Sequence, residues 1–325
     1  MSGLLNCVGL TKHYPIRSGV FGRVVGQVHA VDGVSFSIER GETYSLVGES
    51  GCGKTTTGRM AIRLEKPTAG SVALDGVDVS GLSGKGLIRF RRRAQAVFQD
   101  PYSSLNPRMT VGAIVEEGML IHGIGGSPAE RRDKARETLA LAGMPADSLD
   151  RYPHEFSGGQ RQRIGLARAL STGPDFIVAD EAVSALDVSI QAQIINLLAD
   201  LREKLGLGYL FIAHDLAVVK HLSDRVGVMY LGHLMEEAAA EDLFREPLHP
   251  YTRALLSAIP EPDPARRGKK RIILSGDVPR SDRPPPGCRF HTRCPQALDR
   301  CREGEIPECA PGPGRRVRCV LYDDS

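Results

Sequence analysis

The chain has 325 residues, 41% of them hydrophobic, and a formal net charge of +3. That length holds one large α/β domain with an appendage, or two medium domains, around a substantial core. The charge is too near neutral for nucleic-acid binding through a basic surface, no apolar run approaches the ~18 residues of a membrane span, and the N-terminus lacks a signal peptide's apolar core.

In chain order, Tyr14 precedes a Gly- and Arg-containing insert, residues 15–27, that reads as a loop. Residues 28–38 read as a strand, with Asp32-Gly33 a turn or bulge signal. An apolar β-type run, 43–47, leads into Gly48-Glu49-Ser50-Gly51-Cys52-Gly53-Lys54-Thr55, and a helix-competent run beginning at Thr56 leads out. Residues 72–74 end in the hairpin-type turn Asp75-Gly76, so an antiparallel flap is expected. Arg89, Arg91, Arg92 and Arg93 read as a solvated helix face. A short strand at 95–98 closes on Gln99; residues 100–110, with Pro101, Asn106 and Pro107, form a loop. Residues 111–122 and 128–142 suit helices, the second with Pro in its first turn.

Ser157-Gly158-Gly159-Gln160 has the S-x-x-Q form of a capping box and opens a helix to about Leu170. Residues 176–179 are a continuous apolar run, as in a strand buried on both faces of a parallel sheet. Ile190, Ile194, Leu197, Leu198, Leu201 and Leu205 make a helical stripe capped by Gly206. Strands follow at 209–213 and 226–231. Strands alternating with helices after such a loop mean an α/β doubly wound sheet. Beyond Pro247 the prolines at 260, 262, 264, 279 and 284–286 break up regular structure, so a boundary is expected there, dividing 1–247 from 248–325.

The 48–55 segment fits G-x-x-x-x-G-K-[ST], a phosphate-binding loop. Its glycines let successive N–H groups turn inward around an anion, and the helix start adds partial positive charge. Lys54 would reach the β- and γ-phosphates of a nucleoside triphosphate and Thr55 would ligate Mg²⁺. Asp180 and Glu181 end a buried strand, where open α/β sheets gather their chemistry: Asp180 to hold Mg²⁺ indirectly or through a water, Glu181 as general base on the attacking water. His214 ends another strand and could hydrogen-bond a γ-phosphate or that water. Gln99, also at a strand end, could reach Mg²⁺ and the water. Ser157 to Gln160 offer helix-start N–H groups beside a hydroxyl, an anion site by construction.

Phe156-Ser157-Gly158-Gly159-Gln160-Arg161-Gln162-Arg163 resembles the signature of ATP-binding cassette (ABC) proteins. With the phosphate loop, Asp180-Glu181, Ser184-Ala185-Leu186-Asp187 (the D-loop) and His214, the order and spacing match over residues 5–246. Phe98-Gln99-Asp100-Pro101, Ser104-Leu105-Asn106-Pro107-Arg108-Met109-Thr110 and Val188-Ser189-Ile190-Gln191-Ala192-Gln193 look like the oligopeptide/dipeptide importer branch; His249-Pro250-Tyr251-Thr252-Arg253-Ala254 looks like its C-terminal extension. Two positions depart: the signature begins Phe-Ser where Leu-Ser is commoner, and Ala182 replaces the usual Pro after the Glu. Neither removes a catalytic group.

The resemblance implies a P-loop (RecA-like) fold with an antiparallel flap, a helical signature subdomain at about 100–172 and a small Cys/Pro-rich tail. It implies that Tyr14 stacks on adenine and that Asp187 and the signature serve ATP between two cassettes bound head to tail. The expected partners are a second ATPase subunit, expected to be a different chain, two membrane permeases and an extracytoplasmic solute-binding protein, with no nucleic acid. The expected place is the cytoplasmic face of the membrane, and the task is peptide import. Alternatives are nickel or sugar import, or a nucleic-acid-linked cassette ATPase; a P-loop kinase leaves the signature helix unexplained.

Seven cysteines is an odd count, and five crowd the tail: Cys288, Cys294, Cys301, Cys309 and Cys319. In a reducing compartment such clustering favours metal over disulfides. The spacings lack the tight C-x₂₋₄-C pairs of structural zinc, and four thiolates are the usual [4Fe–4S] shell. Within the importer branch, a tail resembling residues 287–295 continues to a last Cys after a Pro-Gly segment, and some members carry a [4Fe–4S] cluster. That resemblance selects Cys288, Cys294, Cys301 and Cys319, with Cys309 the alternative fourth ligand; zinc or no metal stay open.

Overall fold

The computed structural model describes residues 3–19, 22–99, 104–184, 186–259 and 271–323. Asp100, Pro101, Ala185, Pro260, Pro262 and Pro264, which figured in the sequence reading, lie outside these. Among the described residues no helix is long and apolar enough to cross a membrane.

Strands β1 (Leu5–Ser18) and β2 (Arg23–Ile38) pair antiparallel, β3 (Thr43–Val47) runs into the phosphate loop, and α1 (Lys54–Ala61) leaves it. Strands β4 (Ala69–Leu74) and β5 (Val77–Asp78) join the first two in a four-stranded sheet ordered β2-β1-β4-β5, the expected flap. Its turn has both Asp75 (φ 48°) and Gly76 (φ 76°) left-handed, the geometry that fits the twist of a two-residue hairpin. Asp32-Gly33 is a bulge. Leu10 pairs with Val34 and Lys12 with Val31, so two residues on β2 face one on β1, with Gly33 at φ 66°.

The insert at 15–27 corrects the sequence reading. Residues 15–18 pair with 23–27 as a ladder, with Pro15 opposite Gln27 and Ser18 opposite Arg23. Its Gly and Arg content hid the pairing, and Pro15, which cannot donate to a ladder, masked the strand.

The second sheet has the order β11-β12-β10-β9-β3-β8-β7-β6. Its parallel part comprises β6 (Ala94–Val97), β7 (Phe176–Asp180), β8 (Gly208–Ile212), β3 and β9 (Arg225–Tyr230). Every residue of β3, β7 and β8 is buried, which explains their unbroken apolar runs. Each large apolar side chain so buried contributes about 1.5–3 kcal/mol. Helix α1 lies directly on this layer. A Cβ at Gly58 would stand 2.7 Å from Ile212 Cδ1 and 3.0 Å from Val178 Cγ1.

Helix α2 (Gly84–Arg93) follows the flap, and its arginines are more than a solvated face. Arg93 pairs with both Asp75 and Asp175, Arg92 Nε donates to the Thr172 carbonyl at 3.3 Å, and Arg91 Nη2 to that of Arg63 at 3.2 Å. Helices α3 (Val111–Ile121), α4 (Pro128–Leu141) and α5 (Gly158–Leu170) build a subdomain around their own core, which includes Val111, Ile114, Met119, Leu139, Phe156 and Ile164. Ser127 caps α4 by accepting from Glu130 N at 3.2 Å, ahead of Pro128 in the first turn.

Helices α6 (Val188–Leu205), α7 (Leu216–Leu222), α8 (Ala240–Arg245) and α9 (Pro250–Ser257) follow, among short 3-10 turns such as Ala146–Asp150 and Asp299–Cys301. Strand β10 (His233–Ala239) turns back on β9 through Leu231-Gly232, and the tail hairpin β11 (Glu308–Gly312) and β12 (Arg315–Arg318) extends the sheet beyond it. Glu236 and Glu237 on β10 are buried, and both are satisfied. Glu236 accepts from the N–H groups of Leu248 and His249 at 2.8 Å each; Glu237 takes Tyr44 OH at 2.7 Å and the guanidinium groups of Arg225 and Arg316.

Candidate active site

The phosphate loop is shaped by contacts only glycine permits. A Cβ at Gly48 (φ 149°) would meet the Met229 carbonyl oxygen at 2.1 Å, and one at Gly53 (φ 108°) that of Ala30 at 2.2 Å. The loop is thereby wedged between the flap and β9, with Gly53 capping α1. Lys54 Nζ is buried and donates to the carbonyls of Gly48 (2.8 Å) and Glu49 (3.0 Å), and lies 3.7 Å from Cys52 Sγ. Burial raises the Cys52 thiol although Lys54 pulls the other way. Ser50 and Gly51 form the tip, and Thr56 follows Thr55 in the first turn of α1.

Thr55 Oγ1 donates to Asp180 Oδ1 at 3.0 Å, joining loop to strand end. Asp180 is held above the usual carboxylate range, first by burial and then by the charge of Glu181, against the Thr55 hydrogen bond. Glu181 is a non-glycine residue at φ 49°, a conformation costing of order 1–2 kcal/mol. It is fastened there by its N–H to Ile212 O at 2.9 Å, and its carbonyl takes Ser184 N (3.1 Å) and Oγ (3.0 Å). His214 Nδ1 lies 3.9 Å from Glu181 Oε2, and the two line one small cleft with Ser184, Gln191 and Asp215. Gln191 was not singled out from sequence. Gln99 is exposed, two residues past the end of β6.

The signature start is a complete capping box. Ser157 Oγ accepts from Gln160 N at 3.4 Å and Gln160 Oε1 accepts from Ser157 N at 3.0 Å. Gly159 is required by packing, since a Cβ there would stand 2.3 Å from Ile190 Cγ2; Gly158 faces Leu186. Asp187 caps α6 through Ile190 N at 3.0 Å, and that bond lowers its pKa. Tyr14 is half-exposed, with Lys12 Nζ 4.9 Å over its ring.

Sequence reading missed Asp32 as a junction. It accepts from His13 Nε2 (2.7 Å), His29 Nδ1 (3.1 Å) and Arg289 Nη2 (3.0 Å). His13, His29 and Asp32 present donors within 4.8 Å of one another, but the Arg289 guanidinium already neutralises the carboxylate, which suits a hydrogen-bonded junction better than a cation.

Of the tail cysteines, Cys288, Cys301 and Cys294 pack into one apolar cluster, and Cys319 packs with Cys309 in a second. Burial pushes the Cys288 thiol up to about 12, helped by nearby Cys301, Cys319 and Cys294; burial pushes Cys319 up to about 11, with Cys294, Cys301 and Cys309 adding. Cys294 is raised by burial and by Cys301. Cys288 N donates to the Cys301 carbonyl at 2.8 Å. Cys309, on β11, points its thiol at the Cys319 carbonyl, 3.8 Å away. Among the described residues no three of these sulfurs come within 4.8 Å of one another.

A glycine-wedged phosphate loop and an Asp-Glu strand end, beside a helical subdomain opening on a capped Ser-Gly-Gly-Gln, define a P-loop ATPase cassette. Residues 31–184 match the ABC transporter family model, and 235–301 that of the oligopeptide/dipeptide transporter C-terminal region. The chain is 57% identical over 311 residues to a protein of Brucella ovis, covering 95% of each. It is 53% identical over 324 residues to the oligopeptide transport ATP-binding protein AppF of Bacillus subtilis, covering 98% of this chain and 97% of that one. Among solved structures it resembles the dimeric ATP-binding cassette MJ0796 bound to ADP and Pi (TM-score 0.64, 30% identity, 73% of this chain and 98% of that). It also resembles cbiO1 of Clostridium perfringens, part of an ABC transporter complex (TM-score 0.65, 26% identity, 76% and 92%). The chain belongs to the ABC transporter ATP-binding family, in its oligopeptide/dipeptide branch. It is an ATPase, and such cassettes take ATP, typically with Mg²⁺.

Proposed function

We propose that this chain energises peptide import as the ATP-hydrolysing subunit of a membrane transporter. The observation that carries the reading is the Thr55–Asp180 bond, which brings the phosphate loop and the Asp-Glu pair to one point. The peptide follows from the oligopeptide relative and the C-terminal region match. The working complex has two permeases, a binding protein and a second, different ATPase subunit, and the chain sits peripherally on the cytoplasmic face. Purified complex should hydrolyse ATP faster when its binding protein carries peptide; stimulation by nickel or a sugar instead would overturn the substrate, and stimulation by DNA or RNA the transport role.

In this reading Lys54 and the amides of residues 48–55 other than Glu49, whose N–H goes to Tyr251 OH, would hold the phosphates, and Thr55, Asp180 and Gln99 would hold Mg²⁺, which would polarise the γ-phosphate. Glu181 takes a proton from the attacking water, and His214, 3.9 Å away, orients the pair. Tyr14 stacks on adenine. Ser157 to Gln160, with Asp187, serve the nucleotide of a second cassette packed head to tail, because the exposed start of α5 offers the donors that one phosphate loop lacks. The 248–325 tail is the importer-type extension; its cysteine site pins a segment too small to build a large core of its own.

For that site we favour a [4Fe–4S] cluster on Cys288, Cys294, Cys301 and Cys319. A lone tetrahedral zinc needs sulfurs ~3.8 Å apart, closer than any three of these thiols lie, whereas a four-iron cluster spans more. Cys301, Cys319 and Cys294 all lie near enough to Cys288 to weaken its acidity further, which supports the choice, and the Cys309 thiol is directed at the Cys319 carbonyl.

A further inference from the structure

Glu49 places a carboxylate inside the loop whose amides face a polyanion. Left bare, that charge would repel the phosphates. It is not bare: Arg293 Nη1 donates to Glu49 Oε2 at 2.8 Å, and the two side chains are only 10% and 27% exposed, so solvent screens the pair weakly. The backbone of Glu49 is held by the same end of the chain, its N–H donating to Tyr251 OH at 2.9 Å. Arg293 also donates to Tyr230 OH at 3.4 Å, and Tyr230, Tyr251 and Phe290 pack ring against ring beneath it.

Arg293 belongs to the cysteine-bearing loop between Cys288 and Cys294, whose other arginine, Arg289, grips Asp32 at 3.0 Å. Asp32 in turn holds His13, the neighbour of Tyr14. One short loop of the tail is therefore tied both to the phosphate loop and to the strand carrying the candidate adenine-stacking residue.

We propose that Arg293 is a positioning residue of the ATP site: it neutralises Glu49 and turns its carboxylate away from the phosphates, so the tail sets ATP affinity in cis. This rests on reading residues 48–55 as the phosphate loop. An uncovered carboxylate beside a triphosphate weakens binding by about tenfold.

The test is a double-mutant cycle on the full chain, with Mg-ATP binding measured by calorimetry and the fold checked by circular dichroism. R293M should raise Kd for ATP about tenfold in the Glu49 background, while E49Q/R293M should stay within about twofold of E49Q alone. R293K, keeping the cation, should retain most of the affinity, and R293Q replaces R293M if that chain does not fold. In the assembled transporter KM for ATP should carry the effect, with kcat changing far less. An equal loss in both backgrounds, no loss with Glu49 present, or R293K as weak as R293M would overturn the proposal. Lys54→Ala separates the two readings. If it leaves ATP binding intact, the phosphate-loop assignment fails; if it abolishes binding while the cycle shows no coupling, only the role of Arg293 fails.

Discussion

Thr55 Oγ1 and Asp180 Oδ1, separated by 125 residues in sequence, meet at 3.0 Å, so the start of α1 and the end of β7 present a hydroxyl and a carboxylate to one point. Both are hard oxygen ligands of the kind Mg²⁺ takes. Asp180→Asn should leave metal-free ATP binding nearly unchanged and abolish the tightening that Mg²⁺ gives, read by titrating nucleotide with and without the ion. A variant that still responds fully to Mg²⁺ would remove Asp180 from the metal's shell.

Glu181→Gln keeps shape and hydrogen bonding but cannot take a proton. Turnover should fall by on the order of 10² to 10⁴, with ATP affinity retained and a closed ATP-bound dimer accumulating. Turnover and nucleotide affinity measured together decide the role: near-normal turnover rejects the base, and lost binding makes Glu181 structural, as its left-handed backbone would allow.

Ser157 tests the head-to-tail arrangement better than Gly159, because any side chain at Gly159 strikes Ile190. Ser157→Arg should bind ATP normally as an isolated chain and fail to support hydrolysis at the other cassette's phosphate loop. Mixed complexes with Lys54→Ala on one subunit locate the failing site. Lost ATP binding in folded, isolated Ser157→Arg protein counts against cross-pairing.

The parallel core was legible because β3, β7 and β8 are buried on both faces and so read as unbroken apolar runs. The capping box at Ser157 and the bulge at Asp32-Gly33 were legible because each is set by neighbours within a few residues. Strand β10 was not, since its pattern carries Glu236 and Glu237, which look solvent-facing until Arg225, Arg316 and the 248–249 amides arrive to bury them. Arg293 was invisible for the same reason: its partner Glu49 lies 244 residues away, and no local pattern encodes that charge pairing.

His249 is buried at the start of α9, its Nδ1 accepting from Tyr251 N at 3.0 Å, and burial with Arg253 nearby pushes its pKa down to about 3. The unfolded chain protonates this imidazole near pH 6.5, the folded chain only near 3, so the unfolded state binds more protons between those values. The contribution of His249 to stability is present above pH ~6.5 and is lost on acidification by up to about 1.4 kcal/mol per pH unit. Denaturant midpoints between pH 7 and 5 should fall less steeply in His249→Asn, whose amide oxygen still caps the helix. An unchanged slope would mean that other groups govern acid stability.

The cysteine site yields the sharpest choice among ligands. Cys288 and Cys319 are weak acids as thiols, near 12 and 11, so metal must displace their protons, and anaerobic reconstitution should become more complete as pH rises. Protein purified without oxygen should be brown, with about four irons and matching sulfide per chain. Cys319→Ser should bleach it, because in the proposed set Cys319 is the one ligand from the end of the chain. Cys309→Ser should not, because its thiol is directed at the Cys319 carbonyl. Because the loop from Cys288 to Cys294 also carries Arg289 and Arg293, bleached protein should lose thermal stability more than a surface substitution would. Stoichiometric zinc without iron in anaerobic protein would overturn the cluster, and bleaching by Cys309→Ser with colour retained in Cys319→Ser would overturn the ligand set.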